Sequence, residues 1–374
     1  MNGILFVHPS DELYGADRVA LSIAEIATRF CDVTAWIPTD IAYRQRPLTS
    51  AMRSAGVRVD HVDYPVIRRD YFRPGMLSTY LRRYNTASRS FAAKRPRLVY
   101  LNTSATLFMA QMAKRNGART IFHLHENWSV RERALLGPML RYADVIVAVS
   151  DAVKSTLPKR AADRALTIPN GFDLQRKPLR SDDPLRCRLG VGRGDILVLL
   201  ASRWNSWKGH EAFLRAWDQV DRPDMHLVIL GGPPPSGEAF DVHAAVRRLS
   251  HPGRVHVIGE VADASDWIAA SNVVVVPSVR PDPLPTIAIE AAGAARAVFA
   301  SDLGGLPTIV DQGASGLLLP PLDASAWVDA LRSTNLWMLE QQGAEARAVF
   351  EKRFSKESFV EAMSSVLDLA LSRE

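Results

Sequence analysis

Apolar residues recur along this chain in short unbroken runs, separated by longer stretches with helical spacing. Residues 3–8, 33–37, 98–101, 120–124 and 144–149 form such runs in the first half, and 57–60 alternates apolar with charged residues as a further strand. Residues 196–201, 225–230, 254–258, 273–276, 298–300 and 316–319 form them in the second. Short apolar runs bounded by turn residues are the pattern of strands covered on both faces. Between them the period changes. Residues 16–30 put Val19, Ile23, Ile26, Ala27 and Phe30 on one helical face, and residues 355–371 do the same with Phe359, Met363, Val366 and Leu367. Strands alternating with helices predict parallel sheets joined by right-handed crossovers.

The rhythm breaks once, near residues 170–195. The stretch "IPNGFDLQRKPLRSDDPLRCRLGVGRGD" is rich in Pro, Gly and charge, as linkers are. A chain of 374 residues is also long for one core. The expected architecture is therefore α/β: two doubly wound Rossmann-like domains facing a central cleft, divided as 1–172 and 173–354. In such folds ligands sit at the carboxyl ends of the strands.

Composition adds limits. Hydrophobic residues make up 47% and charged residues 23%, as in globular proteins. There is no run of about 18 apolar residues, so no transmembrane helix is expected. "MNGILFVHPS" has no basic region or long apolar core of a signal peptide, and the expected location is cytoplasmic. Cys31 and Cys187 have no metal or redox spacing.

The net charge of +6 conceals an asymmetry. Residues 1–170 hold 25 Lys/Arg against 14 Asp/Glu, and the remainder holds 21 against 26. Within 66–97 lie Arg68, Arg69, Arg73, Arg82, Arg83, Arg89, Lys94, Arg95 and Arg97, with Asp70 the one acid. Tyr71, Phe72, Met76, Leu77, Tyr80 and Phe91 are interleaved. That mixture suits peripheral contact with an anionic membrane, and it also suits a solvated Arg-rich helix face. No nucleic-acid motif accompanies the charge, so nucleic acid is not the expected partner.

Two stretches carry candidate chemistry. In "ASRWNSWKGHEAF", residues 201–213, Arg203 and Lys208 stand on a strand-to-helix turn. A guanidinium fork and an ammonium point charge suit phosphate oxygens, and two surface cations on a turn is the alternative. In "SVRPDPLPTIAIEAAGAARAVFASDLGGLPTIV", residues 278–310, Asp282 and Glu290 bracket a helix N-terminus, which is a ready anion site. Glu290, one turn inside that helix, is placed to accept both hydroxyls of a ribose or to serve as an ordinary helix-face carboxylate.

Taken in order, these motifs resemble the retaining GT-B-fold glycosyltransferases of family four. That family has an Arg followed about five residues on by Lys-Gly, here Arg203 and Lys208-Gly209. It has Glu-x7-Glu in the form E-P-F-G-L-V-V-L-E-A, here D-P-L-P-T-I-A-I-E-A with Asp282 and Glu290. "G-x-P-V" and "S-D-x-G-G-x-P-E-I-V" correspond to Ala295–Val298 and Ser301–Val310. "VSDAVKSTL" and "IPNGFD" resemble its interdomain segments. The resemblance runs from Gly15 to about Leu319. Asp282 replaces a Glu, Pro285 a Gly, Ala297 a Pro and Thr308 a Glu.

The resemblance implies a nucleoside-diphosphate-sugar donor and a glycan or lipid-linked acceptor in cell-envelope or polysaccharide assembly, at the inner face of the membrane. Arg203, Lys208 and the N–H groups of Thr286 and Ile287 would stabilise the departing diphosphate. Glu290 would bind the ribose, Asp282 the donor sugar, and the segment at Glu260 and Val261 the base. Gly15 and Ala16 would form a minimal Gly-rich loop; with Leu284 and Pro285 they complete the donor set. His125, at a strand end, would line the cleft near the transferred sugar. Tyr14, Asp17, Asn102 and Glu126 fall on the acceptor side. The acceptor hydroxyl would attack on the leaving-group face, with anomeric configuration retained. The absence of a placed Asp-x-Asp leads to the expectation of no metal and no cofactor. The last helix, 355–374, would pack back on the first domain. Two alternatives stand beside this: an epimerase or hydrolase acting on the nucleotide-sugar, and a non-catalytic nucleotide-binding homologue. The lack of G-x-G-x-x-G argues against a dinucleotide site.

Overall fold

The computed structural model describes residues 3–13, 15–43, 45–68, 77–176, 183–234 and 238–372. Tyr14, residues 69–76 of the basic stretch and residues 177–182 of the linker lie outside them. The chain divides into two compact units, Met1–Gly171 with Lys356–Glu374, and Phe172–Ser355.

The first unit holds a seven-stranded, wholly parallel sheet. Its strands are β1 (Ile4–Val7), β2 (Val33–Pro38), β3 (Arg58–Val62), β4 (Leu98–Asn102), β5 (Arg119–Leu124), β6 (Val145–Ala148) and β7 (Leu166–Thr167), in the spatial order β3-β2-β1-β4-β5-β6-β7. The order reverses at β1 and β4. Six of the strands were expected, with small boundary shifts. β7 was not: it is two residues long at the sheet edge, and Leu166 is exposed, so no apolar run marks it.

One face of this sheet is covered by the helices Gly15–Ala27 and Lys356–Ser372. Val19, Ile23, Ile26 and Ala27 from the first, and Phe359, Met363, Val366 and Leu367 from the second, enter one core with Phe6, Ala35 and Tyr100. Arg119 donates to the carbonyl of Ala370 at 2.8 Å, tying the C-terminal helix to β5. Phe30 does not join its predicted face; it follows the helix end and is exposed.

The second unit holds β8 (Ile196–Ala201), β9 (Met225–Leu230), β10 (Val255–Gly259), β11 (Val273–Val276), β12 (Ala297–Ser301) and β13 (Gly316–Leu319), again all parallel, in the order β10-β9-β8-β11-β12-β13. All six were expected. The reversal here falls at β8 and β11.

Two expectations need correcting. The segment read as linker is not all connection: the helix Pro184–Arg188 lies within it, in the second unit. Its Arg186 is 2% exposed and donates to the carbonyls of Ala270, Gly192 and Asp195 and to Asn272 Oδ1. A buried guanidinium survives only when its donors are satisfied in this way.

The basic stretch is also less free than its composition suggests. Arg68 grips Asp40 at 2.5 Å, Arg83 pairs with Asp63 at 2.9 Å, and Lys94 pairs with Asp60 at 2.6 Å. Arg97 donates to the Leu371 carbonyl at 2.5 Å, and Phe91 is fully buried. On the helix Leu77–Lys94, Leu81, Arg82 and Arg89 remain exposed.

Candidate functional site

Each unit presents a cluster of polar side chains at the strand ends where its sheet order reverses, the place where open parallel sheets leave a crevice.

In the first unit, β1, β4 and β5 lie side by side. Their carboxyl ends deliver His8, Asn102 and His125 to one place. Asp17, in the first turn of the helix after β1, closes the row. The contacts form a chain. His125 Nε2 lies 3.0 Å from Asn102 Oδ1, Asn102 Nδ2 lies 2.9 Å from His8 Nδ1, and His8 Nε2 lies 2.7 Å from Asp17 Oδ1. An ionised carboxylate only accepts, which sets the direction of the row. His8 donates from Nε2 to Asp17, Asn102 donates to His8, and His125 donates from Nε2 to Asn102. Nδ1 of His125 is then left as an acceptor. Ser10 also donates to Asp17.

Asp17 is 6% exposed and Asn102 is fully buried; both are bonded within the row, and His125 is its outermost member. Burial, with His8 nearby and only Asp17 opposing, pushes the His125 imidazole down to about 3. Burial and His125 hold His123 well below the usual range too; its ring centroid is 4.2 Å from that of His125, and its Nδ1 is 2.7 Å from Tyr100 Oη. Both imidazoles are therefore neutral at physiological pH.

Glu126 turns back onto the protein. Its Oε2 accepts from Ser104 Oγ at 2.9 Å and from the Ser104 and His125 amides at 3.3 Å. Burial raises its carboxyl above the ordinary value, partly offset by those bonds. Trp128 Nε1 donates to Ser104 Oγ at 2.7 Å. The residue joining Asn102 to Ser104 is Thr103, at φ 69° and ψ 159°, a region almost reserved for glycine. Its N–H donates to the His123 carbonyl at 2.9 Å. The strained turn lets adjacent residues serve two separate networks, and such strain costs about 1–3 kcal/mol. Gly15 begins the helix Gly15–Ala27 and Ala16 is half-buried beside Asp17.

A sharp test follows from the row's polarity. Asn102→Asp removes the amide that donates to His8 and sets a carboxylate against His125. The His125 pKa should then rise from about 3, because a nearby negative charge favours imidazolium. An NMR titration of the ring reads this directly, and an unmoved titration would break the proposed link.

In the second unit the relevant ends are those of β8 and β11. After β8, the chain forms a 3-10 turn, Ser206–Lys208, and then the helix His210–Trp217. Gly209 between them has φ 80°, and a Cβ there would fall 1.7 Å from the Pro277 carbonyl oxygen. Only glycine permits this approach. Val279 N–H also donates to the Trp207 carbonyl at 2.9 Å, so the loops after β8 and β11 are stitched together.

That stitching joins Lys208 to Asp282. Nζ lies 2.5 Å from Oδ2, in a pair whose side chains are 19% and 14% exposed, and 4.2 Å from the Trp207 ring centroid. The two residues had been expected to meet different parts of a ligand, phosphate and sugar; here they meet each other. Arg203 is exposed and makes no ion pair among the described residues. His210, buried behind Lys208, is pushed down to about 4 by burial and then by that cation.

The loop carrying Asp282 leads through buried Leu284 and Pro285 into the helix Thr286–Gly293, where no side chain caps the first turn. The first-turn amides, Thr286 and Ile287 among them, therefore have no intrahelical acceptor. Glu290 is half-buried one turn on. Gly304-Gly305 is the wedge that holds the loop. Gly305 N–H donates to the Asp282 carbonyl at 2.8 Å, and a Cβ on it would lie 2.2 Å from the Pro283 carbonyl oxygen. Glu260, just after β10, is exposed, and its Cγ lies where a Cβ on Gly232 would come within 2.7 Å; Val261 beside it is half-buried. Among the described residues no group of three or more His, Cys, Asp or Glu is placed to hold a metal ion.

Sequence reasoning missed His8, Ser10, Thr103, Ser104 and Trp128 in the first cluster, and Trp207 and His210 in the second. A signal existed for His8 and His210: one directly follows a strand run, the other the Lys-Gly pair. Thr103 carried none, because its backbone conformation is imposed by tertiary contacts.

A model of the glycosyltransferase family 4 domain matches residues 15–176, and a model of the glycosyl transferases group 1 domain matches residues 195–334. The D-inositol 3-phosphate glycosyltransferase of Xylanimonas cellulosilytica is 30% identical over 245 residues, 60% of this chain and 57% of that protein. The alpha-maltose-1-phosphate synthase of Mycolicibacterium smegmatis is 33% identical over 196 residues, 47% of this chain and 48% of that protein. The chain thus spans about half the length of the curated relatives it matches. Among solved structures, Anabaena HepE in complex with UDP superposes with a TM-score of 0.80 at 21% identity, covering 98% of this chain and 100% of that one. The apo lipopolysaccharide outer core galactosyltransferase WaaB gives 0.73 at 14% identity, covering 98% and 99%. At such identities the likeness is one of fold.

Proposed function

The chain belongs to family 4 of the group 1 glycosyl transferases, with the GT-B fold, and from that premise we propose that it moves a hexose from a nucleoside-diphosphate sugar to a hydroxyl of a glycan or lipid-linked acceptor. The observation that carries the reading is the second-unit cluster. Lys208 and an uncapped helix N-terminus stand on the two stitched loops after β8 and β11, with Asp282 in reach of Lys208, and Arg203 stands exposed on the same β8 loop as Lys208.

In this reading the donor enters by exchange. Its diphosphate takes Lys208 from Asp282, and a sugar hydroxyl takes the freed carboxylate. Each partner trades one charge-assisted hydrogen bond for another, so neither is left buried and unpaired. Glu290 binds the ribose hydroxyls, and the base lies by Glu260 and Val261. As the glycosidic bond breaks, negative charge grows on the diphosphate, and the fixed cations and amides stabilise it without a metal ion. The donor phosphate takes the acceptor proton, and configuration is retained. His125, held neutral with its Nε2–H given to Asn102, offers Nδ1 as an acceptor to a sugar hydroxyl at the first unit's cluster. The proposed setting is cell-envelope or polysaccharide assembly, peripheral to the inner face of the membrane.

The test is a thermal-shift series with UDP, GDP, ADP and dTDP, with and without Mg²⁺, followed by a sugar-release assay on the nucleotide that binds. A ligand at about 100 times its Kd stabilises by about 2.7 kcal/mol, a shift of several degrees. A selective, metal-indifferent shift supports the donor site; UDP is tested first because HepE was solved with it. Free sugar released without an acceptor favours the hydrolase alternative. Binding without turnover favours a non-catalytic homologue. No shift with any nucleotide overturns the reading.

A further inference from the structure

Outside both clusters, the first unit carries a cavity of about 910 Å³, within the roughly 300–1,000 Å³ range of small-molecule sites. It is formed by the helix Val130–Leu136, the 3-10 segment Gly137–Tyr142 and the short helix Lys159–Ala162. Gly137 packs so closely on Pro158 that a Cβ would lie 2.7 Å from its Cγ, which makes a firm floor. Val130, Ala134 and Leu157 give it an apolar wall.

The rim has one sign. Of its five cations, Arg164 donates to the carbonyls of Leu140 and Ala143, and Arg141 donates to Tyr142 Oη at 2.6 Å. The other three, Arg133, Lys159 and Arg160, are exposed and have no ion pair among the described residues. No carboxylate lines the cavity. Two acids adjoin the lining in sequence, Glu132, held in a capping box by Ser129, and Asp163, exposed beside Arg164; neither lines the cavity. Beside the cations the same helix holds Leu135 at 53% exposure, an outward apolar group that water disfavours.

We propose that this cavity is a seat for an anionic phospholipid of a bilayer, with an acyl chain against the Val130–Ala134–Leu157 wall and the headgroup phosphate among Arg133, Lys159 and Arg160. Apolar depth with an unbalanced cationic rim matches an amphiphile with a negative head. A small polar phosphate would leave the apolar wall uncovered. The proposal concerns membrane docking and does not depend on the transfer reaction. It also moves the contact away from residues 66–97, where several cations are already paired.

The experiment is co-sedimentation of the full chain with vesicles of phosphatidylcholine alone or mixed with phosphatidylglycerol. Binding is expected only to the mixed vesicles. Replacing Arg133, Lys159 and Arg160 with glutamine should lower partitioning roughly 100-fold, since each cation near an anionic surface is worth about fivefold. Should the triple variant fold poorly, Arg133→Gln and Lys159→Gln singly should each cost about fivefold. Leu157→Ala keeps the charge but strips the buried part of the apolar wall, and should cost roughly tenfold, because losing the contact of about two methylenes of an acyl chain costs about that much. Binding that survives Leu157→Ala unchanged would mean flat electrostatic adsorption and would overturn the cavity site. So would binding lost through Arg82→Gln/Arg89→Gln but kept by the triple variant, no binding to mixed vesicles at all, or release by inorganic phosphate at the same phosphorus concentration.

Discussion

Lys208→Ala is expected to lower turnover by about 100- to 1,000-fold, the usual cost of removing one preorganised stabiliser of developing charge. The side chain stands on a rigid turn, between the Trp207 ring at 4.2 Å and Asp282 at 2.5 Å. A cation already held in place needs no reorganisation when charge grows on the leaving group. Because Lys208 is partly solvated, its loss should change the melting temperature little. Asp282 is then left without its partner but still in reach of water. Steady-state sugar transfer, or nucleotide release, is the readout, with nucleotide affinity measured beside it by calorimetry. Turnover lost with affinity kept places Lys208 in the transition state alone. Both lost together places it in ground-state binding as well. Undiminished turnover would sink the phosphate role.

The second large effect is on stability in acid. His125 and His210 are held neutral in the folded chain, at about 3 and about 4, whereas an unfolded chain titrates near 6.5. Between those values the unfolded state binds more protons, so stability must fall as pH drops below about 6.5. At about pH 4.5 the loss amounts to roughly 2–3 kcal/mol for each group. His123, also depressed, adds to it. Glu126 works the other way, because a raised carboxyl makes the folded state the better proton binder just above its ordinary range. Denaturant unfolding between about pH 7 and about pH 4 is the measurement, with His210→Gln as the control. That variant should flatten the slope of the transition belonging to the second unit. An unaltered slope would show that His210 is not a source of the acid lability.

How far the fold was legible follows from covering. Twelve of the thirteen strands announced themselves: most because a parallel strand buried on both faces is an unbroken apolar run, and the partly exposed edge strands β3 and β10 because apolar residues alternate with polar ones. The helices beside them declared their inner faces by period. β7 escaped because a two-residue edge pairing needs only backbone, and Leu166 there faces solvent. Arg186 escaped because composition alone reads a basic Pro-Gly segment as linker, whereas its neighbours from residues 192–195 and 270–272 make it a buried strut.

What the sequence by itself determined, then, was the alternation that produces two parallel sheets, and the residue types that follow the strands and on which the proposed chemistry rests: Lys208, Asp282, Glu290 and His125. Both follow from local physics, since periodicity and strand ends are visible within a dozen residues. Only the tertiary structure decided who meets whom. Asp17 and Asn102 became the supports of His8 and His125, because three strands distant in sequence end side by side. Lys208 and Asp282, 74 residues apart, became a pair. Charge was redistributed in the same way. Summed along the chain, residues 66–97 were the basic surface, yet Asp40, Asp60 and Asp63 arrive from other segments to pair with it. Arg133, Lys159 and Arg160, unremarkable in sequence, are left around one apolar cavity. Coulomb attraction falls with distance in space, and distance in space is what folding sets.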